Sequence, residues 1–162
     1  MTGGVLVVGY GNPLRTDDGI GWSAAERLAG DERLNGAMVM QRHQLTPELS
    51  FDISAVSLVV FIDASRDLSP GSVALGRVER AGTAGPTSSH HLSPPTLVAL
   101  AHDLYGQSPA AFVVRCGVAS LELGDQLSPT VDAALAAVID AVVGIVDAHA
   151  TPLEPIETRA SS

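Results

Sequence analysis

The 162-residue sequence predicts an α/β fold, built as three layers with a mostly parallel central sheet and helices on both faces. Three observations predict it. Short β-branched runs alternate with helical stretches along the whole chain. Two of those runs, Val5-Leu6-Val7-Val8 and Ser57-Leu58-Val59-Val60-Phe61-Ile62, are apolar throughout, as buried strands are. Right-handed crossovers between parallel strands then bring the carboxyl ends of the strands to one rim.

The elements follow in order. The strand from Val5 ends at Gly9, Gly11 and the turn signal Asn12-Pro13. Asp17 and Asp18 come next, then a helical stretch from Ile20 to Leu28. Acids suit the start of a helix, where free N–H groups and the dipole favour negative charge, so one reading is that Asp17 or Asp18 merely caps it. Ala37 to His43 reads as a second strand. Thr46-Pro47 reads as a helix start, a capping hydroxyl followed by proline, with the helix running to about Ala55. Ser57 to Ile62 is the strongest strand and is expected to be central. It is expected to end at Asp63, which puts that carboxylate where open α/β sheets bind ligands. Val73 to Arg80 is a more polar strand, nearer an edge. A Gly/Ser/Thr-rich stretch, 81–89, then delivers His90-His91. Ser93-Pro94-Pro95 starts a helix that Gly106 stops. Ala111 to Val118 is the last strand. Ser128-Pro129 starts a final helix to about Ala148, apolar around most of its circumference and so expected to be well buried. Residues 1–150 read as one domain, and 151–162 as a flexible tail with two prolines and no periodicity.

Composition narrows the function. Hydrophobic residues make up 46% and charged residues 17%, enough apolar material for a proper core. The net charge of −9, with all nine basic residues arginine, disfavours a nucleic-acid partner. The single cysteine, Cys116, rules out an internal disulfide and reads as a buried thiol within a strand. No stretch has membrane-spanning length and none resembles a secretory leader, so a cytoplasmic protein without a membrane partner is expected.

Several chemistries are weighed against the residues. Gly9-Tyr10-Gly11 has two glycines of a dinucleotide loop, but Leu14 stands at the third, and two acids would repel a pyrophosphate. No Gly-Lys-Ser/Thr follows for a P-loop. Ser88 and Ser89 lie near His90, yet no nucleophile elbow is present. A dyad of Asp18 with Asp63 would need a shared proton. Two carboxylates and a histidine from three loops would instead suit a divalent transition metal with open coordination positions. His43 follows a strand and is placed to line the cleft. His102 and His149 read as structural or solvated.

Four segments then carry a resemblance. They are Gly9-Tyr10-Gly11-Asn12-Pro13-Leu14 with Asp17-Asp18-Gly19-Ile20-Gly21, Gln44-Leu45-Thr46-Pro47-Glu48-Leu49, Phe61-Ile62-Asp63-Ala64, and Ser89-His90-His91-Leu92-Ser93-Pro94. In this order they resemble the [NiFe]-hydrogenase maturation proteases, from about Val5 to the final helix. The resemblance implies an endopeptidase that trims the C-terminus of the hydrogenase large-subunit precursor. It implies nickel supplied by that substrate and no organic cofactor. The family's metal-contacting acid, second acid and histidine fall on Asp18, Asp63 and His90, which are then also the implied catalytic residues. The first is often glutamate in the family, and aspartate reaches about 1.5 Å less, so Asp17 stays open as an alternative. His91 stays open beside His90. A non-catalytic, nickel-binding or chaperone-like module docking on the large subunit is the other function class.

Overall fold

The computed structural model describes residues 3–81 and 92–150. The elements, in chain order, are β1 (Val5–Tyr10), α1 (Ile20–Ala29), β2 (Met38–Arg42), α2 (Leu49–Ser54), β3 (Leu58–Ser65), β4 (Val73–Arg77), α3 (Pro94–Tyr105), β5 (Ala110–Gly117) and α4 (Pro129–Ala150). They form one five-stranded sheet in the order β2-β1-β3-β5-β4. All pairings are parallel except β4 with β5 at one edge. The sequence placed β3 centrally and β4 towards an edge, and both hold.

The unbroken apolar runs have a simple cause. In a strand, neighbouring side chains face opposite sides, and here both sides are covered. Val7, Val60, Ile62 and Val114 face α1 and α4, and Cys116 is buried among them. Leu6, Val8, Val59 and Phe61 face α2 and α3. Each fully buried side chain of this kind stabilises the fold by roughly 1.5–3 kcal/mol. The helix punctuation of the sequence is also visible. Ser93 Oγ accepts from Thr96 N, proline fills the first turn of α3, and Gly106 ends it in the left-handed region at φ 73°.

Four readings need correcting. First, β3 does not stop at Asp63 but runs to Ser65. What stops is its pairing with β1, whose last partners are Gly9 and Ile62, while Asp63 still faces Arg115 of β5 in register. Second, α2 begins at Leu49 rather than after Thr46. Leu49 N, Ser50 N and Phe51 N donate to the carbonyls of Thr46, Pro47 and Glu48, so tight i to i+3 turns precede the helix. The Thr46 hydroxyl serves the Glu48 carboxylate instead of capping. Third, neither acid is the N-cap of α1. Both sit in a separate single turn of 3-10 helix, Thr16–Gly19, and Gly19 holds the cap position. Fourth, α4 buries only one stripe: Val131, Leu135, Val138, Val142 and Val146 are covered, whereas Ala133, Ala136, Ala137 and Ala148 are exposed. Its amphipathicity is written in side-chain size as well as in polarity: small alanines share the exposed face with Asp132, Asp140 and His149. Among the described residues, no helix is long and apolar enough to cross a membrane.

Candidate active site at the carboxyl rim of the sheet

The strand order reverses at β1. The chain leaves β1 for β2 on one side, while β3 lies on the other. Such switch points open a crevice between the carboxyl ends of the two strands, and ligands bind there. Tyr10 ends β1 at this crevice and Asp63 lies beside it on β3, just past the last pairing of the two strands.

Asp18 reaches the crevice through a tightly specified turn. A Cβ on Gly9 would run into the Gly21 carbonyl, and one on Gly21 would crowd the Tyr10 backbone, so α1 can approach β1 only with glycine at both positions. Gly11, at φ 142°, lies under the Asp18 backbone and has no room for a side chain. These glycines serve packing and turn geometry, not phosphate binding. With the turn closed, Asn12 N donates to Asp18 Oδ2 at 2.7 Å. That bond fixes the carboxylate and leaves most of its acceptor capacity free.

Asp17 points elsewhere. It is fully buried, and its carboxylate accepts from Ala119 N (2.8 Å), Ser120 N (2.9 Å), Ser128 N (2.8 Å) and Ser128 Oγ (2.8 Å). Burial alone would raise its pKa; the four donors outweigh it and hold the carboxyl below its ordinary value. Its acceptor positions are therefore taken, and it is not available as the metal-contacting acid. Asp17 latches the turn to the segment before α4. Thr16 beside it adopts φ 53°, an outlier for a β-branched residue, held by Thr16 N donating to Gly124 O at 2.9 Å. Of the two adjacent acids, one builds the site and the other faces it.

Asp63 is partly buried and is held by Tyr10, whose hydroxyl donates to it. Burial pushes the Asp63 carboxyl above its ordinary value. The Tyr10 hydrogen bond, the Arg115 charge and the Ala64 N–H oppose that, and the Asp18 charge adds to it. Burial and the adjacent Asp63 raise the Tyr10 phenol as well, so it stays protonated and remains a donor. Its ring is set edge-on against Phe61 at 6.5 Å between centroids.

Asp18, Asp63 and Tyr10 line one cavity of about 430 Å³, together with His43 and Leu92. His43 is thus at the cleft, as its position after a strand suggested. Its ring packs on Trp22 at 4.9 Å, and Trp22 Nε1 is itself anchored on Arg42 O at 2.9 Å. His90 and His91 lie outside the described residues, although Leu92, which follows them, is in the cavity wall. Among the described residues, no three His, Cys, Asp or Glu side chains converge on one point. His149 is remote from the cleft, its Nε2 3.0 Å from Ser57 Oγ. Cys116 is buried, and burial, with the Asp17 charge, raises its thiol pKa, so it is inert at neutral pH.

Two residues escaped the sequence reading. Tyr10 was read only as the spacer between two glycines, and its hydroxyl gave no signal that a neighbouring strand would offer a carboxylate. Ser128 was read as a helix cap, which it is: Val131 N donates to its Oγ at 3.4 Å. Its second role as donor to Asp17 depends on a contact 111 residues away in sequence.

Comparison with solved structures decides the fold. The chain superposes on the hydrogenase maturating endopeptidase HybD from E. coli with a TM-score of 0.71 and 22% identity, covering 93% of this chain and 94% of that one. It has the fold of the hydrogenase maturation proteases. A second structure of this fold, the [NiFe] hydrogenase maturation protease HycI from Thermococcus kodakarensis KOD1, gives 0.68 at 21% identity, over 88% of this chain and 92% of the other. A third, the hydrogenase 2 maturation peptidase from Thaumarchaeota archaeon SCGC_AB-539-E09, gives 0.67 at 23% identity, over 88% and 97%. No protein-family model matches the sequence, and no curated protein matches it. In this maturation-protease fold, Asp18 and Asp63 are the two described acids on the cleft at the sheet's carboxyl rim.

Proposed function

We propose that this protein is an endopeptidase of hydrogenase maturation, which removes a C-terminal peptide from the nickel-loaded precursor of a [NiFe]-hydrogenase large subunit. The observation that supports it most is the placement of Asp18 and Asp63 on one cavity at the sheet's switch point, in a fold shared over nearly its whole length with enzymes of that name. In this reading it works in the cytoplasm.

The donor set fits a divalent cation presented by the substrate. Both carboxylates are oriented by neutral donors, Asn12 N for Asp18, and the Tyr10 hydroxyl with the Ala64 N–H for Asp63. Each keeps lone pairs free towards the cavity, and hydrogen bonds from outside fix a ligand's direction before it binds. With His90, or His91 beside it, as a nitrogen donor, the set would complete the sphere of a nickel held by the substrate's cysteines. Nickel so bound supplies Lewis acidity at a peptide carbonyl. The chain's own contribution is positional: docking fixes the scissile bond next to two carboxylates, one of which, Asp63, is poised by burial to take a proton from water.

The test is the intact mass of a nickel-loaded precursor before and after incubation with the protein. A single C-terminal loss that needs nickel is expected. Asp63→Asn should abolish it, by at least about a hundredfold if Asp63 acts as the base, without unfolding the chain. A stable complex with no mass change would overturn the endopeptidase reading in favour of a non-catalytic docking module.

A further inference from the structure

Asp18 has a second side. A smaller cavity of about 230 Å³ shares Asn12 and Asp18 with the main cleft, and its wall also includes Arg15, Arg66 and the apolar Ala64, Val118 and Leu121. Arg15 Nε donates to Leu121 O at 2.9 Å, which fixes that guanidinium and leaves its terminal N–H groups without a partner among the described residues. Arg66 has no hydrogen bond or ion pair with any described residue, and both of the described ion pairs belong to Arg33. Neither arginine is therefore neutralising Asp18 directly. In a chain of net charge −9, a small cavity walled by two guanidiniums is a local reversal of the overall field.

The surroundings say what kind of anion belongs there. Gly124 N donates to Leu14 O at 3.0 Å, which ties the loop of Arg15 to the loop of Leu121. Those two loops carry Leu14 and Leu123, 59% and 86% exposed. Exposed leucines beside a cavity lined by two guanidiniums suit a polypeptide segment with an acidic group better than a free inorganic ion. Guanidinium forks match carboxylates in geometry, with two parallel hydrogen bonds.

We propose that this cavity is a carboxylate subsite, in which Arg15 and Arg66 grip an acidic group of the substrate polypeptide beside the main cleft. It rests on the reading of this protein as one that binds a polypeptide. The carboxylate is either an acidic side chain or a free C-terminus, and both present the same group.

The experiment uses the full chain and three capped peptides. One is acetyl-Ala-Glu-Ala-amide, with a side-chain carboxylate. One is acetyl-Ala-Gln-Ala with a free C-terminus. The third, acetyl-Ala-Gln-Ala-amide, is neutral. Arginine Nε–Hε resonances are followed by NMR as each peptide is added. Saturable shifts at Arg15 and Arg66 with a charged peptide, absent with the neutral one, support the subsite, and the active peptide identifies the carboxylate's source. Arg66→Gln should weaken the effect at Arg15 by about tenfold or more, and Arg66→Lys should lie between. Equal shifts with the neutral peptide, shifts spread over all arginines, or no response overturn the proposal. None of these readouts involves cleavage. A failed precursor assay with intact peptide binding would sink the endopeptidase reading alone, and the converse would sink the subsite alone.

Discussion

Asp17 and Asp63 are both carboxylates, and their environments push them in opposite directions. Asp17 has a folded pKa below its unfolded value of about 3.9. It therefore adds stability that is complete above that pH and lost as pH falls through the lower folded value. Asp17→Asn sets an amide against donors that need an acceptor and should cost about 3 kcal/mol at pH 7. It should also flatten the acid limb of the stability profile, read as urea midpoints between pH 7 and pH 3. Asp63 has the reverse sign: its raised pKa favours folding at low pH, and the benefit fades as pH rises through the window above the unfolded value. Asp63→Asn should therefore raise the urea midpoint at pH 7 while removing activity. A lowered midpoint would show that the charged form is better solvated than its burial indicates. That two acids stand at the first turn was legible from Asp17-Asp18 in the sequence. Which of them faces the cleft was not, because the deciding partners, Ala119, Ser120 and Ser128, lie more than a hundred residues further on.

At the scale of elements, glycine divides into positions that matter and positions that do not. Gly9→Ala would drive a methyl into the Gly21 carbonyl and push α1 away from β1. A loss of more than about 3 kcal/mol is expected, typical of overpacking without room to relax, with the cleft deformed as well. Gly76 on the edge strand β4 has open space around its Cβ, so Gly76→Ala should change stability by less than about 0.5 kcal/mol. Thermal unfolding of the two variants checks the contrast. Strand identities were readable because β1 and β3 are covered on both faces and so apolar at every position. The cap and stop of α3 were readable because Ser93, Pro94 and Gly106 act locally. The start of α2 was misread for a related reason. The Thr46-Pro47 signal is real, but Glu48 captures the Thr46 hydroxyl, and tertiary burial of Leu49 and Ile53 decides where the helix proper begins. The stripe on α4 was hidden because alanine is apolar by composition, yet too small to require burial.

For the molecule as a whole, the architecture followed from alternation and chain handedness, and the candidate site followed from the rule that such sheets bind at their carboxyl rim. What the sequence could not supply was the second cavity and the way Tyr10, Arg15 and Arg66 lie about the two acids, since the cavity's walls come from three connections at once. The Asp17 latch also sets an order of events. It spans residues 17 to 128, so the first motif cannot be locked until nearly all of the sheet has been synthesised and paired. A ribosome-bound chain that has emerged only through β3 would hold every glycine of that motif and both cleft acids, but none of the donors that hold Asp17. A fragment ending before Ala119 lacks every Asp17 partner and is expected to cut nothing even where its strands have formed.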